Sequence, residues 1–381
     1  MEFYLESLSK KPYRISSPES IHTPRLILFR DRFEYNIITM ERLLQSVSPE
    51  FGLTCLWPHT KTHKSLWVTE RLMAAGISSF KASPNEVDML FKAGVKEIFV
   101  AYPLTYKDAL HVADLANDHP GTTVYVQAAH PQHLEILDAA AGKADIRWPY
   151  FIDLDVGMGR TGLAPARSHE LLQQGGRHKR LEFAGLHAYD GHNHSPIEAE
   201  RKKVTQSAMD LAAGVFHEFQ QDGVTVPKMV FGGTPGFLPD LEYLAGLSLD
   251  TTLHPSPGTW VYFDSGDHNV MGTFEVATLI LAEIVDLPRP GFATLNIGHK
   301  RWSIDMGPIE RFSLPGAKAV SWSEEHTVLE LSGQASPNIG DKVLIAPKHV
   351  CSTVNLWEYH MIVGPEGDIE NERCPVDARN R

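Results

Sequence analysis

The stretch from Ser79 to Ala141, SFKASPNEVDMLFKAGVKEIFVAYPLTYKDALHVADLANDHPGTTVYVQAAHPQHLEILDAAA, alternates two textures. Short apolar runs at 79–82, 97–101 and 123–127 are each followed by an amphipathic stretch, at 85–93, 104–116 and 132–141. Short β-rich runs alternating with helical patterns predict parallel strands joined by helical crossovers. Outward from this stretch the pattern continues, with apolar runs at 53–57, 150–154, 183–187, 228–231 and 247–251 and helical patterns at 65–75 and 198–221. Eight such units in about 210 residues predict a (β/α)8 barrel, at the small end of that fold's usual size. A doubly wound open sheet fits the same alternation by pattern alone.

Beyond residue 265 the texture changes. Runs at 274–287, 292–296, 327–332, 342–346 and 361–364 are short and β-like, split by Gly, Pro and Asp, which predicts an antiparallel β domain. Residues 24–29 are also β-like and precede the barrel. The expected division is therefore an α/β barrel at 28–265 and a β domain made of 1–27 with 266–381. The chain shows neither internal repeat nor low-complexity tract.

The 381 residues are 43% apolar, enough for a large core, and carry a formal charge of −12. An acidic chain is a poor nucleic-acid binder, since phosphate backbones are gripped by basic side chains. No run approaches the roughly 20 apolar residues that span a bilayer. The opening MEFYLESLSKKPY lacks the apolar stretch of a signal peptide. Cys55, Cys351 and Cys374 are odd in number and far apart, unlike a disulfide framework, so the expected setting is reducing and cytoplasmic.

Reactive groups of a barrel gather at the carboxyl ends of its strands. After the first run comes Trp57-Pro58-His59-Thr60-Lys61-Thr62-His63-Lys64. In an extended segment His59, Lys61 and His63 share a face. A lysine there can lose part of its charge by desolvation and attack an aldehyde, where a surface lysine would stay an ammonium. After the fifth run, Gly157, Gly159 and Gly162 let backbone approach a ligand, and Arg160 can reach an anionic oxygen, although glycine-rich turns are common without one. The sixth run ends in the polar loop His187-Ala188-Tyr189-Asp190-Gly191-His192-Asn193-His194. Gly232-Gly233-Thr234-Pro235-Gly236 and Pro257-Gly258-Thr259 follow the last two runs. Glycine amides with a threonine hydroxyl can cradle a phosphate, and these two loops are a frequent barrel phosphate site. In the second domain His349-Val350-Cys351, read as strand, puts imidazole and thiolate on one face as possible metal ligands. A buried cysteine beside a hydrogen-bonded histidine reads the same way.

Together these pieces resemble the fold type III pyridoxal phosphate enzymes, in particular the D-threonine aldolase and D-serine dehydratase group. The resemblance runs from Thr23-Pro24-Arg25-Leu26 to Val376-Asp377-Ala378-Arg379 and is carried most specifically by Pro58–Lys64 and His349–Cys351. It implies an alanine racemase-like barrel plus a carboxy-terminal β domain, paired into a homodimer. It implies Lys61 as the lysine that holds pyridoxal 5′-phosphate, Arg160 as a contact to the pyridoxal ring and Tyr189 as a wall of the cofactor pocket. Gly233, Thr234, Gly258 and Thr259 would form the phosphate cup, and His349 with Cys351 would hold a divalent metal. The family commonly has an arginine before the Pro-Gly-Thr turn, where this chain has Ser256. Some relatives have a carboxylate at the place of Cys351; a thiolate favours zinc, an oxygen site manganese or magnesium.

The implied activity is that of a lyase on β-hydroxy-D-amino acids. In the aldolase outcome a base, for which His59, His63 and His194 are candidates, removes the hydroxyl proton, and the substrate falls to glycine and an aldehyde. In the dehydratase outcome Lys61 removes the α-proton, and the products are an oxo acid and ammonia. The histidine-rich 187–194 loop tips the reading towards the aldolase. An amino-acid racemase and a non-catalytic pyridoxal phosphate carrier are the remaining alternatives.

Overall fold

Seven strands hydrogen-bond side by side in chain order: Ser79–Ala82, Glu97–Val100, Thr123–Ala128, Trp148–Leu154, Leu181–Ala188, Lys228–Phe231 and Thr252–Pro255. The structure is a computed structural model that describes residues 1–5, 7–307, 311–332 and 336–380. Every neighbouring pair of these strands is parallel, as the crossovers require. The helices between them begin where the sequence is punctuated. Pro131 opens Pro131–Ala144, for example, and the His130 ring accepts the Gln132 N–H at 3.2 Å.

Two expected strands differ. The run at 53–57 starts as a tight turn, Leu53–Cys55, and only its continuation is extended. Trp57 N–H donates to Pro255 O at 2.9 Å and His59 N–H to Pro257 O at 3.1 Å, while Lys81 N–H donates to Pro58 O at 3.0 Å. Residues 56–59 thus bridge the first and last strands and carry the ladder around the barrel. Pro58 has no N–H to contribute, so this eighth position is a few bonds rather than a regular strand. The strand expected at 247–251 forms later, at Thr252–Pro255, because Leu247 and Ser248 still belong to the end of the helix Phe237–Gly246.

Side chains from successive barrel positions fill the interior. Trp57, Phe99, Tyr125, Phe151, Ala184 and Val230 form one buried cluster. Inward positions recur every second residue along a strand. The next inward layer towards the carboxyl ends is therefore His59, Ala101, Gln127 and Asp153. On the strand Leu181–Ala188, whose pairing shifts by one residue near Gly185, it is His187. An apolar plug topped by a polar layer is what the alternation builds. Truncating Phe151 to alanine would cost about 3–5 kcal/mol.

The second sheet runs Ala317–Trp322, Thr327–Leu331, Phe292–Leu295, Thr278–Asp286, Arg25–Phe29, Tyr359–Val363, Ile369–Pro375, with Lys342–Ile345 also paired to Thr278–Asp286. All contacts are antiparallel except that of Arg25–Phe29 with Tyr359–Val363. The amino-terminal strand is thus built into the sheet of the carboxy-terminal segment, with Leu26 opposite Ile280. By packing the chain forms two units: Met1–Thr39, Thr62–Val68 and Thr259–Arg379 in one, Met40–Lys61 and Thr69–Gly258 in the other.

Candidate active site

The barrel unit opens into a cleft with about 440 Å3 of empty space, its mouth included. The polar inward layer forms its floor, and Lys61, Met158, Arg160 and Tyr189 are part of its wall. Tyr189 is the hub. Lys81 Nζ lies 5.0 Å, Arg160 Cζ 5.5 Å and Lys61 Nζ 5.8 Å from its ring centroid. Glycine lets this ring lie against backbone: a Cβ on Gly191 would come within 2.3 Å of Tyr189 Cε1.

The floor is a connected polar chain. Gln127 Nε2 donates to Asp153 Oδ2 at 3.0 Å, and Asp153 Oδ1 lies 2.7 Å from His187 Nδ1. His187 Nε2 lies 3.1 Å from Lys81 Nζ, which also donates to Ser256 Oγ at 2.9 Å. Burial holds His187 below its ordinary pKa, with Lys81's charge adding to the effect. Burial and then the charge of Lys61 pull Lys81 down to about 7. Asp153 spends one oxygen on Gln127 and the other on His187, so the cleft of an acidic protein is locally positive.

Among the base candidates, His59 lines the cleft, and its Nδ1 accepts the Lys61 N–H at 3.2 Å. The Thr60–Thr62 turn breaks the extended path assumed for residues 59–63, so His63 does not repeat the facing of His59 and Lys61. His63 is fully buried in the β-sheet unit, 6.4 Å ring to ring from Tyr262, and burial lowers it to about 3. His194 is exposed. In the same loop it is His192 whose ring lies against the backbone of Gly157.

The two glycine loops are engaged within the protein. Gly233 N–H donates to Asp190 Oδ1 at 3.1 Å, and Asp190 also accepts from Asn193 Nδ2 at 3.1 Å. A second buried acid, Asp240, has its pKa raised well above the carboxylate range by burial and by the charge of Asp190. Asp240 Oδ1 takes the Thr205 hydroxyl at 2.9 Å. Thr234 is buried. Gly258 ends the barrel unit and Thr259 begins the next segment of the other. The Thr259 hydroxyl donates to Asp267.

His349 and Cys351 do not lie on a strand. His349 is the residue before the short helix Val350–Val354, and Cys351 sits in its first turn. A turn forms because Asp264 Oδ2 takes the Val350 N–H at 2.8 Å, satisfying a helix-start donor. Asp305 Oδ2 is 2.7 Å and Ser352 Oγ 3.0 Å from His349 Nδ1, while Cys351 hydrogen-bonds the imidazole and lifts its pKa to about 9. Thr62 Oγ1 is 3.1 Å from Cys351 Sγ. An imidazole held from behind by a carboxylate is the usual posture of a metal-ligating histidine. No third protein ligand joins the pair among the described residues, so a cation held there would keep positions open for water or substrate.

Lys81 was invisible as a site residue in the sequence, since Phe80-Lys81-Ala82 reads as an apolar strand. Its only signal is a lysine at an inward position. Asp153, Gln127 and His187 carry the same signal one strand apart.

Comparison with known proteins bears directly on this architecture. Residues 30–264 match the family "Alanine racemase, N-terminal domain", and residues 277–363 match "Putative serine dehydratase domain". The chain is 25% identical over 375 residues to a 3-hydroxy-D-aspartate aldolase of Paracoccus denitrificans, covering 95% of this chain and 93% of the relative. It is 22% identical to the D-serine dehydratase of Saccharomyces cerevisiae, covering 95% and 97%. The crystal structure of D-threonine aldolase from Filomicrobium marinum superposes with a TM-score of 0.84 at 26% identity, over 95% of this chain and 96% of that one. The chain belongs to the alanine racemase N-terminal domain family of fold type III pyridoxal phosphate enzymes, in the group formed by D-threonine aldolase and D-serine dehydratase.

The cleft fits that cofactor. Two lysines and an arginine converge on one aromatic ring, and Asp153 has both oxygens occupied, which suits a planar, anionic guest. No helix among the described residues is long and apolar enough to cross a membrane.

Proposed function

We propose that the protein is a pyridoxal phosphate- and divalent metal-dependent lyase that cleaves β-hydroxy-D-amino acids to glycine and an aldehyde. The observation that carries the reading is the convergence of Lys61, Lys81 and Arg160 on Tyr189 above the Asp153–His187 floor. Bound pyridoxal phosphate supplies an electron sink for the substrate α-carbon. A divalent cation on His349 and Cys351 supplies a Lewis acid for the β-hydroxyl.

The chain's own residues do the rest. Lys61 anchors the cofactor aldehyde and afterwards returns a proton to the α-carbon from Nζ. Arg160 pairs with an anionic oxygen of the ring, and Tyr189 forms its wall. Asp190 holds the 232–236 loop in shape for the phosphate. His59, whose Nδ1 accepts the Lys61 N–H, removes the β-hydroxyl proton. Asp305 fixes the tautomer of His349 from the Nδ1 side. The reading includes a homodimer working in a reducing, cytoplasmic setting.

The test is product analysis with D-threonine and with 3-hydroxy-D-aspartate. Glycine with acetaldehyde or glyoxylate supports cleavage. Ammonia with 2-oxobutanoate or oxaloacetate would instead assign the dehydratase reaction, which the likeness to a D-serine dehydratase keeps as the second reading. Racemisation that survives complete chelation would overturn both.

A further inference from the structure

We propose that Lys81 is an acid–base group of the pocket, whose amine takes a proton from solvent when the anionic cofactor fills the barrel mouth. This deepens the reading above and rests on the cleft being the cofactor site. Besides Cε, Nζ has three positions. Asp153 Oδ1 accepts the Nδ1 proton of His187 at 2.7 Å, which leaves Nε2 of His187 as an acceptor for one Lys81 N–H at 3.1 Å. Ser256 Oγ accepts a second at 2.9 Å, its own hydroxyl proton being directed to Phe231 O at 3.0 Å or Gly232 O at 3.2 Å. The remaining position borders the cleft, which Lys81 lines. It holds a proton in the ammonium and a lone pair in the amine.

The surroundings decide between the two forms. Lys81 is buried, and its strand neighbour across the ladder is His59. Lys61, from the turn after residues 56–59, and Arg160, from the loop after Trp148–Leu154, both disfavour a further positive charge. Asp153, behind His187, and Asp190, next to Tyr189, favour it but make no direct bond to Nζ. Burial and the two cations prevail and hold Lys81 near 7, so above that pH the amine is mostly neutral. An anion in the cleft reverses the balance, because it partners only the charged form. Binding then draws a proton onto Nζ.

The experiment is calorimetric titration of the full-length, cofactor-free protein with pyridoxine 5′-phosphate at pH 8. This analogue keeps the cofactor's anion and ring but has no aldehyde, so Lys61 forms no bond to it. Repeating the titration in buffers of different ionisation heat counts the protons taken up. The wild type should take up more than Lys81→Met, by up to about one proton per site, with the gap closing at pH 6. Lys81→Arg, charged throughout, should show the same low uptake as Lys81→Met yet bind more tightly, a pattern that a merely structural role would not produce. Circular dichroism verifies folding, and if Lys81→Met does not fold, wild type against Lys81→Arg decides. Equal uptake in the wild type and the folded variants overturns the proposal. Absence of any binding to the wild type overturns the cofactor reading and this proposal with it.

Discussion

The carboxylate of Asp190 accepts the backbone N–H of Gly233 at 3.1 Å, tying the residue after Tyr189 to the first turn of the 232–236 loop. Removing that acceptor leaves a buried N–H unpaired, at a cost of about 1–3 kcal/mol. Asp190→Ala should weaken pyridoxal phosphate binding at least about tenfold through loosening of the loop, while far-ultraviolet circular dichroism stays native. Asp190→Asn, which retains one acceptor oxygen, should lose less. An affinity unchanged in Asp190→Ala, measured by equilibrium titration, would separate the loop from the cofactor.

Lys61→Ala should abolish the visible absorption of the lysine-bound cofactor and leave metal content at the wild-type level. Spectra and elemental analysis of the two purified proteins side by side check this. A mutant that keeps the wild-type band would show that another amine holds the aldehyde.

Asp305→Asn removes the charge behind His349 but keeps the shape. Outer partners of this kind are worth about 10–100-fold in metal affinity. Competition against a chromogenic chelator should show a loss in that range for zinc or manganese, with cofactor absorption retained.

His63 and His360 are both fully buried, and burial lowers each to about 3 from an ordinary 6.5. A histidine depressed in the folded state is neutral there while the unfolded chain is already taking up protons. The stability it contributes is complete above about 6.5 and is lost progressively as pH falls towards 3. Thermal midpoints should therefore decline below pH 6.5. His360→Phe, which cannot titrate, should flatten that decline, and a slope identical to the wild type would show that His360 is not among its causes.

Much of this architecture was legible from one dimension. The strands Ser79–Ala82 and Lys228–Phe231 and the helix Glu198–Gln221 lie where periodicity puts them, because their apolar repeat and their local propensity agree. Where local signals conflict, the structure departs from the periodic pattern. A proline turned the strand expected before Lys61 into an irregular bridge, and a helix end delayed the strand expected at 247–251. The strand Ile369–Pro375 is almost all polar and lacks the alternation that marks a strand, and the helix Arg30–Val47, amphipathic as it is, lies ahead of the alternating pattern that defines the barrel.

Periodicity, charge and local motif are properties of neighbours in the chain, so the sequence by itself determined the fold class and the family. Which side chains meet is a property of strand order and register. Closing the barrel brings Lys81, Gln127, Asp153, His187 and Ser256, spread over some 175 residues, into one hydrogen-bonded layer. The same closure commits the Gly233 amide to Asp190 and leaves His194 in water, while folding of the β-sheet unit buries His63. Only the folded chain decides these, because burial and partner together set whether a group is charged, and neither exists before the strands pair.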